Sequence, residues 1–360
     1  MNILAFESSC DETSVAVVER KGDAFEIKSN IIASQIETHR LYGGVVPEIA
    51  SRAHIEAISS ITYEAMSTAK VTMDDIDAVA VTANPGLIGA LLVGVNFAKA
   101  LAIANKKPLI PVDHIKGHIA ACYLSSNGDA PTPPFIALAV SGGHTGIYLV
   151  ESYTKIRTIG STRDDAIGES FDKIGRIIGI PYPAGRGFDE LSMEGFKEAV
   201  GEHENYLERY RKSSVYKSGE FNLPSPAVKD NSLDFSFSGL KTAAINLLHR
   251  YDQLGVELPK SAFAARYTYE AVEAVAKKIE MAIDQYGVSE FAICGGVAAN
   301  SHLRNRLSQL SKEKNAKLHL PNVSLCGDNA AMIGAQGYYE FMSGNLADAS
   351  LNASACDSAD

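Results

Sequence analysis

The sequence predicts an α/β protein built from two related lobes. Its clearest feature is a strand–turn–strand unit that occurs twice, at 3–19 and again at 136–151. In each copy an apolar run leads to a polar turn that holds a Thr, and an apolar strand then returns to a Glu. Elsewhere strands alternate with helices, as in α/β domains. A breaker-rich segment at 125–134 separates the two copies and suits a linker. We therefore expect lobes at 1–133 and 134–360, whose turns face a shared cleft.

Residue patterning predicts the elements of the first lobe. Alternating and β-branched residues predict strands at 2–9, 13–19, 24–32, 77–82 and 108–112. A helix is expected from Pro47 to Ala69, since proline suits a first helical turn. The turn Asn84-Pro85-Gly86 opens a second, strongly apolar helix that ends at Ala104.

The second lobe is more helical. Beyond the repeated hairpin, the pattern predicts a strand at 291–294 and helices at 164–178, 187–200, 261–286 and about 328–342, the last of these near the cleft. The polar stretch 201–231 is expected to be irregular. The Ser-, Ala- and Asp-rich tail from Ala347 is expected to fray.

Composition restricts the class of protein. The chain has 360 residues, 46% of them hydrophobic and 21% charged, which is ordinary for a soluble globular protein. Its net charge of −10 means that any nucleic acid must be met by a local patch or a basic partner. Five Cys without a CxxC pair argue for a reducing compartment. With no signal-like or membrane-spanning run, we expect a cytoplasmic protein with no membrane partner.

A pair of histidines after a strand is the first candidate site. His114 and His118 are four residues apart, which places both rings on one face of a helix, close enough to share a metal ion. The pair differs from the HExxH of metalloproteases because no Glu follows the first His. Asp328 is the best candidate for a third ligand, and such a set suits Fe(II) or Zn(II). A helix N-cap is the alternative role for Asp328.

Glycine-rich turns form the second candidate site. Gly142 and Gly143 allow a ligand to approach the backbone closely. The joint at 294–300 has the strand–Gly–helix form that suits an anion or a nucleotide sugar. Asp172 and Asp189 are candidate acceptors for ribose hydroxyls, with a solvated helix face as the alternative for both.

The segment 204–217 interleaves tyrosines with basic residues. Base stacking is one role for Tyr206, Tyr210 and Tyr216, beside phosphate contacts from the Arg and Lys residues between them. The alternative is the solvated edge of a helix.

Eight blocks along the chain together resemble the TsaD family, the tRNA N6-adenosine threonylcarbamoyltransferases, once called O-sialoglycoprotein endopeptidases. The blocks span nearly the whole chain; they are 7–13, 42–52, 85–94, 114–118, 140–145, 234–242, 295–300 and 328–332. The resemblance implies a two-lobed actin-like, sugar-kinase and Hsp70-type ATPase fold with a central cleft.

The resemblance also implies the site residues. One divalent metal, Fe(2+) most often and Zn(2+) sometimes, would be held by His114 and His118 of the first lobe and Asp328 of the second. The residues that would bind threonylcarbamoyl-AMP (the threonylcarbamoyl adenylate) are Ala139, Val140, Ser141, Gly142, Gly143, Asp172, Gly185, Asp189 and Asn300. Three departures from the family pattern stand out: Asn84 for a Gly, Ala184 and Arg186 within a Pro-Gly-Gly-Pro run, and Asp113 where many bacterial members have His.

The implied reaction moves the threonylcarbamoyl group to N6 of adenosine 37, in the anticodon loop of tRNAs that read codons beginning with A. AMP is the leaving group. Our hypothesis is that Glu12 or Asp11 takes the proton from N6. The implied partners are TsaB-like and TsaE-like proteins, and a homodimer stays open. Three alternatives are an ATP-hydrolysing protein of the same fold, a metalloprotease and a non-catalytic scaffold. Retention of the three metal ligands argues against the scaffold.

Overall fold

The structure is a computed structural model that describes residues 1–124, 129–226, 228 and 230–356. Over these residues it contains two mixed five-stranded sheets, each covered by helices. Of the predicted linker at 125–134, residues 125–128 lie outside the described part.

The first sheet has the strand order β3-β2-β1-β4-β5. The strands are β1 (Asn2–Glu7), β2 (Glu12–Lys21), β3 (Ala24–Ser34), β4 (Ala78–Asn84) and β5 (Leu109–Asp113). The first three strands are antiparallel neighbours, whereas β4 and β5 run parallel to β1. Parallel strands end at one edge of a sheet, so the ends of β1, β4 and β5 meet there.

The second sheet repeats this topology, in the order β10-β9-β6-β7-β8. Its strands are β6 (Phe135–Val140), β7 (Thr145–Val150), β8 (Ile156–Ser161), β9 (Glu290–Cys294) and β10 (Lys317–His319). Here β6, β7 and β8 are antiparallel, and β9 and β10 run parallel to β6. The shared topology confirms the predicted two-lobed α/β fold with duplicated sheets.

Helices cover both sheets. They are α1 (Ile36–Arg40), α2 (Pro47–Ala69), α3 (Ile88–Ala104), α4 (His114–Ala120), α5 (Ile167–Ile177), α6 (Gly185–Val200), α7 (Tyr206–Lys212), α8 (Ser214–Lys217), α9 (Ser238–Leu254), α10 (Lys260–Tyr286), α11 (Ser301–Lys314) and α12 (Ala330–Met342). Short 3-10 turns lie at Met73–Asp75, Ala121–Leu124, Gly296–Ala299 and Val323–Leu325. Pro47 starts α2 as expected, and Gly255 and Gly287 end α9 and α10 in the left-handed conformation that glycine allows.

Three buried clusters hold the molecule together. One packs β4 and the outer face of the first sheet against α2 and α3. A second packs the helices of the second lobe on the outer face of its sheet. The third lies between the lobes, where α4 and α12 join the inner faces of both sheets. The two helices of this middle cluster carry or adjoin the proposed metal ligands.

The polar stretch 201–231 was expected to be irregular, and this is wrong for part of it. Helices α7 and α8 form there because Tyr206 and Tyr210, four residues apart, bury their rings against Phe196. The residue patterns also do not predict α1, β8, β10, α9 and α11. The three-residue β10 is too short to show a pattern of its own. The longer missed helices depend on tertiary packing rather than on local propensity.

The segment 347–354 lies on the first sheet. Helix α12 packs across β1, β2 and β5. Beyond it, the Ala347 N–H donates to the Leu109 carbonyl at 2.9 Å, and the Ser354 N–H donates to the Ala83 carbonyl at 2.9 Å. The expectation of a frayed tail is therefore wrong for 347–354. The lobe boundary near residue 133 remains a prediction.

A search of the described residues finds no helix with both the length and the apolar character needed to span a bilayer.

Candidate metal and nucleotide site

His114, His118 and Asp328 come together between the lobes. One ligand atom from each lies within 4.8 Å of the others. Oδ1 of Asp328 is 3.2 Å from Nε2 of His118 and 3.6 Å from Nε2 of His114. The two ring centroids are 4.5 Å apart. Two imidazoles and a carboxylate at this separation form a donor set that suits a divalent transition metal.

Local sequence explains why both rings face one way. Asp113 is the last residue of β5. Its carboxylate caps α4 by accepting hydrogen bonds from the N–H groups of Ile115 and Lys116. The cap starts the helix at His114, so the helical repeat brings His118 onto the same face. Asn329 caps α12 by accepting from the Met332 N–H at 3.1 Å. Since Asn329 is the cap, the alternative role for Asp328 as N-cap is not needed.

The close approach of α4 and α12 depends on Gly117. A Cβ atom at this position would lie 2.6 Å from Cδ1 of Ile333 in α12. Because the helices touch here, the loop before α12 delivers Asp328 to the two histidines.

The Glu7 carboxylate holds the ring of His114 in one orientation. Its Oε2 lies 3.0 Å from Nδ1 of His114 and accepts from the Thr82 hydroxyl at 2.6 Å. Its Oε1 accepts from the Ser9 N–H at 2.5 Å. A carboxylate on Nδ1 orients the ring so that Nε2 faces Asp328, the arrangement common behind metal-bound histidines.

Buried charges control the protonation of this group. Burial by itself would lower the pKa of His114, but the carboxylates of Glu7 and Asp328 outweigh it and raise that pKa to about 9. Burial would raise the pKa of Asp328, yet His114 and His118 hold it well below its usual range. The pKa of Glu7 is lowered in the same way, because the attraction of His114 overcomes burial.

His118 tests whether the residues fit a metal. Both of its ring nitrogens are buried and make no hydrogen bond of normal geometry with the described residues. Nε2 nevertheless lies 3.2 Å from Asp328. Unsatisfied buried nitrogens are costly in a native protein, and a cation shared with Asp328 would satisfy Nε2. The three residues therefore fit a divalent metal.

Asp11 and Glu12 lie at the first hairpin turn beside this cluster. The Asp11 carbonyl accepts from the Gln35 N–H at 3.1 Å, and the Glu12 carboxylate accepts from the Ser34 hydroxyl at 3.0 Å. Burial, followed by the charges of Asp11 and Asp328, raises the pKa of Glu12 to about 9. Near neutral pH a carboxyl with so high a pKa is mostly protonated, and its small ionised fraction is a strong base that can take a proton.

The second hairpin offers its turn from the other lobe. Ala139 and Val140 end β6, and the Ser141 N–H donates to the His144 carbonyl at 2.8 Å to close the turn. A Cβ atom on Gly142 or Gly143 would meet no atom within 4 Å, so this backbone is open to a ligand. His144 at the end of this turn, after His114 and His118, also helps to hold the pKa of Asp328 low, so the turn lies near the metal cluster.

The remaining predicted ligand residues lie where α5, α6 and α11 converge. Asp172 accepts from the Ala184 N–H at 2.7 Å, next to Gly185 at the start of α6. Asp189 accepts from the Ser301 N–H at 2.9 Å, which ties α6 to α11. The Asn300 side chain caps α11 by accepting from Leu303 N–H at 2.8 Å. One oxygen of each carboxylate is thus engaged within the protein. Nucleotide binding by these residues stays a prediction.

Two of the three departures from the family pattern contact each other. Nδ2 of Asn84 donates to Oδ2 of Asp113 at 2.7 Å. The departures are therefore paired across β4 and β5, and together they support the cap of α4. The remaining departure is Ala184 with Arg186. The Arg186 side chain is largely exposed and pairs with Glu190 at 2.9 Å, so its charge lies along the surface of α6.

The stacking role is wrong for Tyr206 and Tyr210. Both rings are buried, and the Tyr206 hydroxyl lies 2.7 Å from Nδ1 of the buried His302. Tyr216 stacks beneath the Arg266 guanidinium, 3.9 Å from its ring centroid. The three rings belong to the core that holds α7 and α8.

Glu7, Ser9 and Thr82 are the functional candidates that the motif reading did not assign. Their signal in the sequence was a polar residue at the end of each of two apolar strands. Their contact with His114 depends on the pairing of β1 with β4, which is a feature of the tertiary structure.

Comparison with known proteins decides the family. A family model described as "tRNA N6-adenosine threonylcarbamoyltransferase" matches residues 26–335. The chain belongs to the TsaD family. It is accordingly a tRNA N6-adenosine threonylcarbamoyltransferase, an enzyme that forms N6-threonylcarbamoyladenosine (t6A) in tRNA.

Relatives agree over nearly their full lengths. The transferase is 47% identical to the protein of that description from Lactobacillus delbrueckii subsp. bulgaricus, covering 98% of this chain and 94% of the relative. It is 45% identical to that of Clostridium botulinum, with 98% and 96% covered. It is 46% identical to that of Staphylococcus saprophyticus subsp. saprophyticus, with 97% and 94% covered.

Solved structures agree on the fold. HypF of T. kodakarensis superposes with a TM-score of 0.59 at 12% identity, over 97% of the transferase and 49% of HypF. A full-length HypF in a phosphate- and nucleotide-bound form gives 0.57 at 15% identity, over 95% and 46%. The transferase therefore has the two-lobed fold of actin-like ATPases and sugar kinases, as predicted.

Proposed function

We propose that the donor is threonylcarbamoyl-AMP and the acceptor is N6 of adenosine 37 in the tRNA anticodon loop, with AMP as the leaving group. The convergence of His114, His118 and Asp328 within 4.8 Å carries this proposal. The cluster lies beside the turn that holds Asp11 and Glu12. It also lies beside the open turn at Ser141–Gly143, so donor and acceptor can meet there.

We propose that these three residues hold one divalent metal, with Fe(2+) favoured and Zn(2+) as the alternative. When bound, such a metal polarises a carbonyl as a Lewis acid. The chemistry of two imidazoles and a carboxylate supports either ion. Glu7 would keep His114 oriented through its Nδ1 contact at 3.0 Å.

The remaining steps fall to residues of the chain. The backbone of Ser141, Gly142 and Gly143 would receive the adenylate phosphate, whose charge increases as AMP departs. Asp172, Gly185, Asp189 and Asn300 would position the nucleoside. The new bond joins N6 to the carbamoyl carbon, the bond from that carbon to the phosphate oxygen breaks, and Glu12 takes the N6 proton.

We further propose cytoplasmic action with TsaB-like and TsaE-like partners. All five cysteines are free, which suits a reducing compartment. Help from a partner in binding tRNA is consistent with the net charge of −10.

Nucleoside mass spectrometry tests the proposal. Unmodified tRNA is incubated with threonylcarbamoyl-AMP, the partner proteins and either the intact chain or a His114→Ala/His118→Ala variant. We expect t6A from the intact chain alone. t6A from both proteins would remove the metal from the mechanism. t6A from neither, with active partner proteins confirmed, would refute the proposal in favour of an ATP-hydrolysing protein or a scaffold.

Glu12→Gln tests the base. We expect the transfer rate to fall by about 10²- to 10⁴-fold, the range for loss of a general base. A full rate in this variant would exclude Glu12 from proton transfer.

A further inference from the structure

The rim of the cleft is closed by a contact between the lobes. We define the rim as Arg40, Leu41, Tyr42 and Gly43 of the first lobe with Arg176 and Tyr182 of the second. Nε of Arg40 donates to the Tyr182 carbonyl at 3.1 Å. A Cβ atom on Gly43, whose φ is +73°, would lie 3.1 Å from Nη1 of Arg176. The segment after α1 thus meets the end of α5.

The rim adjoins the residues proposed for proton transfer. Gln35, just before α1, donates its N–H to the Asp11 carbonyl at 3.1 Å, and Ser34 donates to the Glu12 carboxylate. On the far side, burial and then the nearby charges of Asp11 and Asp172 raise the pKa of the Tyr182 hydroxyl. A molecule whose reactive atom reaches Glu12 would therefore lay its flanking parts on the rim.

The rim presents an unusual surface for this acidic chain. Two large hydrophobic side chains are exposed here: Tyr42 is 58% exposed and Leu41 is 83% exposed. Arg176 is exposed, and no carboxylate among the described residues lies within the 4.0 Å of an ion pair. Arg40 is paired with Glu37 at 2.9 Å and serves the contact between lobes. The surface therefore offers one free aromatic face beside one unpaired guanidinium.

We propose that the rim binds the anticodon loop of the tRNA substrate, with a nucleotide next to the target adenosine stacked on Tyr42 and a backbone phosphate at Arg176. The inference rests on the proposed function and assigns its RNA contact. The target base must leave the loop stack to reach the cleft, which leaves a neighbouring base without a partner. Aromatic faces accept such bases, and guanidinium groups bind the adjacent phosphates.

RNA is favoured over a protein partner at this position. A protein interface of ordinary size would need a broad apolar surface. Of the rim residues, only Leu41 and Tyr42 are large hydrophobic side chains with high exposure, and they lie beside two guanidinium groups. Single-stranded RNA needs little more than a stacking face and a positive charge.

Steady-state kinetics of t6A formation in the reconstituted system test the proposal. The tRNA concentration is varied for the intact chain and for Tyr42→Ala, Tyr42→Phe and Arg176→Ala. Tyr63→Ala is the matched control, because Tyr63 is 78% exposed but lies about 24 Å along α2 from Pro47. Anisotropy of a labelled anticodon stem–loop measures RNA affinity independently of turnover.

We expect Tyr42→Ala to raise KM for tRNA and Kd for the stem–loop about tenfold, the effect of one lost stacked base. The kcat and the KM for threonylcarbamoyl-AMP should stay near those of the intact chain. Tyr42→Phe keeps the ring and should bind normally. Arg176→Ala should lower the salt dependence of binding by about one phosphate contact.

Equal KM and Kd in Tyr42→Ala and Tyr63→Ala would overturn the proposal. Loss of assembly with a partner protein in Tyr42→Ala, with unchanged RNA binding, would overturn it in favour of a protein surface. If the intact chain forms no t6A with active partners, the proposed function fails instead, and the stem–loop titration still decides whether the rim binds RNA.

Discussion

Glu7 is a buried residue that orients a proposed metal ligand without being one of the proposed ligands itself. Its carboxylate receives hydrogen bonds from Ser9 and Thr82 and directs the remaining oxygen lone pairs at His114. The contact fixes which nitrogen of the ring faces Asp328. A carboxylate behind a histidine also makes the imidazole a better donor.

We therefore predict that Glu7→Gln weakens metal affinity about tenfold, the lower range for loss of such a contact. Glutamine keeps the shape but loses the charge. Competition titration of Zn(2+) or Co(2+) against a chelator measures the change without reference to activity. Glu19→Gln is the control, since Glu19 pairs with Asn2 at the opposite end of the same two strands. Equal affinities in both variants would contradict the role.

Glu12 should carry a stability cost that depends on pH. Its pKa of about 9 lies above that of an exposed glutamate. Between about pH 4.3 and that value, the unfolded chain is therefore ionised while the folded chain keeps its proton. Stability is lost as pH rises through this window.

We predict that Glu12→Gln melts higher than the intact chain at pH 8 and nearly equally at pH 4.5, because the variant has no proton to lose. Thermal melts of metal-free protein across this range test the point, with the exposed Glu56→Gln on α2 as control. A difference in Tm that does not change with pH would show that Glu12 does not titrate in this way.

At the scale of elements, the proposed metal cluster depends on how two helices pack. Asp113 starts α4 and Asn84 supports that cap from the neighbouring strand. Gly117 then lets α12 approach, so the loop before α12 can deliver Asp328. The spacing between α4 and α12 therefore sets the distance between the ligands.

Gly117→Ala should crowd the contact between these helices, because its Cβ atom would displace the buried Cδ1 atom of Ile333. We predict a loss of about 1–3 kcal/mol in the free energy of unfolding, the usual cost of overpacking, together with weaker metal binding. Gly239→Ala is the matched control, because a Cβ atom on that helical glycine meets nothing within 4 Å. Chemical denaturation and a metal titration of both variants test this. Normal metal affinity in Gly117→Ala would show that the spacing is not limiting.

At the scale of the whole molecule, the chain returns to its first sheet. Helix α12 carries it from the second lobe across β1 and β5. The tail then adds contacts, including Lys99 Nζ donating to the Leu351 carbonyl at 2.9 Å. Leu351 and Ala353 also pack against the outer core of the first sheet. The segment 347–354 thus packs on the lobe in which the chain begins.

We predict that Leu351→Asp lowers the free energy of unfolding by about 1–2 kcal/mol, since the leucine is half-buried against that core. Asn352→Asp introduces the same carboxylate one residue later, at an exposed position, and should be neutral. Urea denaturation compares the two. Equal midpoints would mean that the tail contributes nothing to the first lobe.

Much of this architecture was predictable because strands and helices have different periods of hydrophobicity. The strands of the first lobe, the two long helices α2 and α10 and the repeated hairpin all follow from such patterns. The short helices α7 and α8 do not, since buried Tyr206 and Tyr210 have the same sequence context as exposed tyrosines. The sequence pattern of a basic, aromatic stretch is the same whether its rings face solvent or pack in a core.

By itself the sequence determined the α/β class, the duplicated hairpin, the spacing of His114 and His118, and, through its motif blocks, the family. Only the tertiary structure decided that Glu7 faces His114, that Asn84 and Asp113 support each other, that the tail lies on the first sheet and that the rim joins the lobes. The reason is physical: periodicity and local motifs depend on neighbours along the chain. These contacts instead join residues up to 271 positions apart, where packing alone sets the distances.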